Sequence, residues 1–178
     1  MKKTMTLLLA AMVLICFACS GTASGEAPFS LQGVSFGMSR EEAKGILGEK
    51  YQLGAERENA LFYAPVSFSK YTGAMFICIL YGDVVVAMEY VLENEANAYT
   101  YLQGALTARY GEVSNCMEEY IERCAEIGIH DTGISEETAL FWKKDDILIY
   151  LGKTGSGDGC YIFYFGEIPV LEYNTDGL

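Results

Sequence analysis

Hydrophobic and polar positions along this chain follow two periods, and the switches between them predict the elements. Ser39-Arg40-Glu41-Glu42 has the form of a capping box, with Ser39 accepting from the third helical N–H and Glu42 reaching back. Ala43, Ile46 and Leu47 follow at helical spacing and Gly48 supplies a stop, which predicts a short helix over about 40–47. Residues 60–66 read as a strand. Ala74-Met75-Phe76-Ile77-Cys78-Ile79-Leu80-Tyr81 is apolar at both parities, as a central strand would be. Gly82-Asp83 forms a two-residue hairpin turn, and residues 84–92 return antiparallel with Glu89 as their only charge. Asn97 is placed to cap a second helix whose face is Ala98, Tyr101, Leu102, Ala105, Leu106 and Arg109, ended by Gly111. A third helix, about 116–127, carries Met117, Tyr120, Ile121, Cys124 and Ile127 on one stripe and Glu118, Glu119 and Glu122 on a wet side. Strands 138–143 and 147–151 flank a Lys143-Lys144-Asp145-Asp146 turn. A Gly-rich loop, 153–159, leads to the last strand, 160–165.

The order of elements repeats. The first half runs helix, Gly48-Glu49, then Ala60-Leu61-Phe62-Tyr63 and two more strands; the second runs helix, Gly111-Glu112, then Ala139-Leu140-Phe141-Trp142 and two more strands. The Gly-Glu pairs are offset by 63 residues and the Ala-Leu-Phe strands by 79; the 16-residue difference is about the length of the third helix, which reads as an insertion. The expected fold class is α+β: two αβββ-like units, over 36–93 and 96–168, forming one antiparallel sheet with helices mainly on one face. Gly37-Met38-Ser39-Arg40-Glu41-Glu42-Ala43 through Ile46-Leu47-Gly48 resembles the helix opening of the small lipoprotein of the outer-membrane assembly complex and of the β-lactamase inhibitor proteins. That resemblance implies small αβ units with open antiparallel sheets, arranged in tandem in the inhibitors. It departs at Glu49, where that pattern has Pro, and a shared fold does not carry a shared function.

The start of the chain reads as an address. Lys2 and Lys3 precede an apolar run from Met5 to Phe17, followed by small and polar residues, the plan of a secretory signal. Thr4 to Ala18 spans 15 residues, short of the ~20 a membrane-crossing helix needs. Ala18-Cys19 resembles the end of a bacterial lipoprotein signal, although Cys16 stands where that family has Leu and Phe17 is bulkier than usual. The resemblance implies cleavage before Cys19, lipid attachment at Cys19, and a location at the cell membrane or cell surface; a plain secretory signal is the alternative. The expected organisation is a signal peptide over 1–18, a flexible tether over 19–28, one domain over 29–171 and a loose tail over 172–178.

Composition then narrows the function. Of 178 residues, 51% are hydrophobic, which fits one domain with a core. Formal net charge is −12, and becomes −14 once Lys2 and Lys3 leave with the signal. Such an acidic chain is not expected to bind nucleic acid or anionic headgroups directly, so a lipid anchor would be its membrane contact.

Six cysteines occur. With Cys16 removed and Cys19 lipidated, Cys78, Cys116, Cys124 and Cys160 remain in an oxidising compartment, open to three pairings or to simple burial. Cys116 and Cys124 on one helix would stand ~12 Å apart, too far to bridge. Cys78 and Cys160 both fall in predicted strands of one sheet and are the expected pair if a bridge forms. No metal site and no cofactor are expected, since no C-x₂-C pair exists and His130 is the only histidine. Asp131-Thr132-Gly133 resembles an aspartic-protease triplet without the second copy that chemistry needs, and reads as a turn. Gly152-Lys153-Thr154 resembles the end of a phosphate-binding loop but lacks the upstream Gly and the following helix.

The aromatics are the most informative feature: 13 Tyr, 9 Phe and one Trp, many of them in strands. If helices cover one sheet face, Tyr63, Trp142, Tyr150 and Tyr164 on the other would form an aromatic surface for a protein or other ligand. The expected function is an exported, lipid-anchored, non-catalytic binding domain. The alternatives are an extracytoplasmic hydrolase with loop carboxylates Asp131, Asp145 or Asp158, and a purely structural envelope lipoprotein.

Overall fold

The computed structural model describes residues 29–95, 97–129, 135, 137–155 and 157–168. The signal and tether with Cys16 and Cys19, His130, the Asp131-Thr132-Gly133 triplet, Glu136 and the tail lie outside the described residues.

The chain is α+β. Two short strands, β1 (Ser30–Leu31) and β2 (Val34–Ser35), form a ribbon before helix α1 (Arg40–Gly48). Four strands follow: β3 (Leu53–Arg57), β4 (Ala60–Phe68), β5 (Tyr71–Tyr81) and β6 (Val84–Leu92). Helices α2 (Ala98–Tyr110) and α3 (Met117–Glu126) precede β7 (Leu140–Lys144), β8 (Ile147–Lys153) and β9 (Cys160–Phe165). The seven strands β3 to β9 make one antiparallel sheet in the order β3-β4-β5-β6-β9-β8-β7, so β6 and β9, last in their halves, pair at its centre.

Local chemistry starts α1 where the sequence predicts. The Ser39 hydroxyl accepts from the Glu42 N–H at 3.3 Å, and the Glu42 carboxylate accepts from the Ser39 N–H at 2.9 Å. The hydrogen bond from Ser39 also holds the Glu42 carboxyl below its ordinary value. Gly48 is the last helical residue rather than the stop; Glu49 caps the helix in ordinary helical backbone geometry. Arg40 ties this helix to two turns, with its guanidinium on Asp83 at 2.6 Å and on the Arg57 carbonyl at 3.0 Å. The Gly82-Asp83 turn has positive φ at both residues, the mirror-image turn that suits a twisted hairpin.

Helices α1 and α2 lie on the first face of the sheet. Ala43 and Leu47 of α1 and Ala98, Leu102 and Leu106 of α2 pack on Leu61, Tyr63, Phe76, Met88, Tyr90, Trp142, Ile149, Ile162 and Tyr164. The buried stripe of α2 is Ala98-Leu102-Leu106. Tyr101, Ala105 and Arg109, expected on that stripe, are exposed, because a strict four-residue spacing leaves them one position round the helix. Asn97 makes no side-chain cap. Helix α3 lies on the second face, where Tyr120, Cys124 and Ile127 pack on Phe141, Leu148, Tyr150, Phe163 and Phe165. Its Ile121, expected on the stripe, is 46% exposed.

Candidate functional site

The register places one row of side chains across the second face: Phe62 opposite Ile77, Ile77 opposite Glu89, Glu89 opposite Phe163, then Tyr150 and Phe141. Alternation puts every member of this row on the same side. The Tyr120 ring of α3 reaches Phe163 at 5.6 Å, Tyr150 at 4.8 Å and Phe141 at 5.7 Å between centroids, and so roofs the β9-β8-β7 end. On β4, β5 and β6 the face carries the buried Ala60, Ile77, Ile79, Val86 and Ala87 together with Phe62, Met75, Glu89 and Val91, which are partly exposed, and Tyr161 continues the partly exposed set on β9. A second row runs Met75, Val91, Tyr161.

Glu89 is the one charge of β6, with Ala87 and Val91 along its strand and Ile77 and Phe163 across. Among the described residues no hydrogen bond or ion pair reaches its carboxylate, and burial pushes its carboxyl from 4.5 up to about 7. A carboxylate removed from water without a partner favours its neutral form. Among the described residues, the cations of this side are engaged elsewhere. Arg57 at the β3 edge lies 5.2 Å from the Phe62 ring centroid. Lys143 pairs with Glu119 at 2.9 Å, and Arg123 pairs with Glu119 at 2.7 Å while donating to the Gly166 and Asp146 carbonyls. The hydrogen bond from Lys143 holds the Glu119 carboxyl below its ordinary value, the reverse of Glu89.

The four aromatics expected to form a surface are core residues. Tyr63, Trp142 and Tyr164 point to the first face beneath α1 and α2, and Tyr150 points to the second beneath Tyr120. The four do not all share one face, and none is more than 4% exposed. The Trp142 indole N–H donates to the Gly111 carbonyl at 3.1 Å, and the Tyr150 and Tyr161 hydroxyls pair at 2.8 Å. Gly152 makes room for that pair, since a Cβ there would stand 2.5 Å from the Tyr150 hydroxyl.

The Cys78–Cys160 pairing is corrected as well: both thiols are free and buried, as is that of Cys124, while Cys116 is free and partly exposed. Cys78 stands opposite Met88 and Cys160 opposite Leu92, four residues further along β6 and one strand beyond it. Strand rise and spacing then separate them by roughly 16 Å, well outside the ~4–7 Å Cα range of a disulfide. Burial pushes the Cys78 thiol up to about 12 and the Cys160 thiol up to about 11.

Of the three expected loop carboxylates, Asp131 lies outside the described residues, and Asp145 and Asp158 do not converge. Asp145 and Asp158 sit in exposed turns at opposite ends of β8, roughly 20 Å apart by strand rise. Among the described residues no group of three or more His, Cys, Asp or Glu could hold a metal ion, and no helix is long and apolar enough to cross a membrane. No family model, curated protein or solved structure matches the chain.

Phe62, Met75, Val91 and Tyr161 were not singled out by the sequence pattern as surface residues. The signal that marks their location is Glu89, a lone charge in a strand otherwise free of charges.

Proposed function

We propose that this chain is an exported, lipid-anchored binding domain, held to the membrane through Cys19 and a short tether, that takes a protein or other ligand on the uncovered part of its second sheet face. The signal-like start and the Ala18-Cys19 junction support the anchor. One observation carries the binding role: although Ala60, Ile77, Ile79, Val86 and Ala87 of the second face are buried in one cluster with α3, Phe62, Met75, Val91 and Tyr161 of the same face are left partly exposed. Aromatic and Met side chains grouped in this way are the composition of interface cores.

The domain itself is read as two αβββ units with α3 inserted in the second. The mirrored strand order about β6 and β9 supports this, as does the matching start of β4 and β7. In each, Leu and the aromatic two places on (Leu61 and Tyr63, Leu140 and Trp142) face the first side, and the Phe between them faces the second.

Two measurements test the reading. Radiolabelled palmitate should enter the wild-type chain and not Cys19→Ala; equal labelling would remove the anchor. A photo-crosslinking phenylalanine analogue at Phe62 should form a discrete adduct on intact cells, whereas the same analogue at Tyr101, exposed on α2, should not. Adducts at neither position, or equally at both, would refute the assigned face.

A further inference from the structure

We propose that the surface around Glu89 is a receptor for an arginine side chain presented by an otherwise apolar segment of a protein partner. The proposal deepens the binding reading above and rests on it. Glu89 is enclosed on four sides by Ile77, Phe163, Ala87 and Val91. A carboxylate in such surroundings is costly unless a counter-charge meets it. Among the described residues, the cations that face this side are engaged elsewhere: Arg57 on Phe62, Lys143 with Glu119, and Arg123 with Glu119 and two carbonyls. The titratable groups packed nearest are Tyr120 and Cys124 of α3, Tyr150 of β8 and Tyr161 of β9, each with its proton held more tightly by burial, so none supplies a positive charge. On this proposal the partner supplies the counter-charge.

The surroundings select guanidinium over ammonium. Phe62 and Tyr161 are the aromatic members of the partly exposed strip, in the same row as Glu89 and in the row beside it. A planar guanidinium stacks on aromatic faces while pairing with a carboxylate, and its weaker hydration lowers the cost of entry. The protein already uses this contact at Arg57 over Phe62. Met75 and Val91 then offer an apolar bed for the stem and for the residues flanking it.

The test uses the full chain in detergent micelles and two blocked tripeptides, acetyl-Leu-Arg-Leu-amide and its citrulline counterpart, which has the same shape without the charge. Binding is read from backbone amide shifts of β5, β6 and β9. Above neutral pH the arginine peptide should bind about tenfold tighter than the citrulline peptide, the gain expected of one hydrogen-bonded charge pair. That preference should vanish in Glu89→Gln and at about pH 5, where the carboxyl is protonated. Equal binding of the two peptides to the wild-type chain would overturn the arginine receptor while leaving the apolar binding face intact. Failure of both peptides to shift the sheet would overturn the face as well. The wild-type comparison needs no variant, so a folding defect in Glu89→Gln cannot mask the outcome.

Discussion

Glu89→Gln replaces the carboxyl with a neutral group of the same shape and isolates the cost of charging that position. Burial raises the carboxyl from 4.5 to about 7 in the folded chain. Because the folded value lies above the unfolded one, the unfolded chain ionises first as pH rises. The stability held by the protonated acid is therefore full below pH 4.5, falls as pH climbs toward about 7, and is gone above it. Over that interval the loss is about 3 kcal/mol at roughly 1.4 kcal/mol per pH unit. The side chain is partly exposed, and water reaching the carboxylate reduces the figure to about 2 kcal/mol. Urea denaturation of both proteins at about pH 4 and about pH 8 measures it. The two should be indistinguishable in acid, and Gln should be more stable by about 2 kcal/mol in alkali, a shift of about 1 M in the urea midpoint. A difference that is the same at both pH values, or absent at the higher one, would refute the assignment of Glu89 to a desolvated, unpaired position.

Three further outcomes follow from the packing. Trp142→Ala should cost about 3–5 kcal/mol by urea denaturation, because the ring is fully buried and its N–H is bonded to Gly111; a loss below about 1 kcal/mol would place the ring at the surface. Ser39→Ala should cost about 1 kcal/mol in the same assay through loss of the capping box. The thiols of Cys78, Cys124 and Cys160 should resist a thiol reagent in the native protein and react in guanidinium without prior reduction; dependence on reductant would indicate a bridge.

What was legible in the sequence is what local chemistry decides. The Ser39–Glu42 box and the Gly82-Asp83 turn are complete within a few residues, so their elements follow from the letters. Strand β3 was not legible: only Leu53 is half-buried there and Gly54 to Arg57 are exposed, so an edge strand shows no alternation to read. Facing was not legible either. Strands β5, β6, β8 and β9 bury side chains on both sides, beneath α1 and α2 on one and α3 on the other, which erases the period-two contrast. The aromatics most conspicuous in sequence, Trp142 and Tyr150, are conspicuous because they fill the core. The position that breaks the apolar pattern, Glu89, marks the proposed site instead.

The two rims of the large sheet have a consequence for assembly. β3 ends in Glu56 and Arg57 and is bulged between Leu53 and Ala55, and β7 has five residues, ends in Lys143 and Lys144 and takes a backbone bond from Ser114. Neither rim offers the long, flat, uncharged ladder on which a foreign strand adds or a fibre grows. The rims of the large sheet thus disfavour sheet extension, so under the proposed binding role a partner is met by side chains on a face, and copies crowded at the proposed membrane location would not be drawn into a continuous sheet.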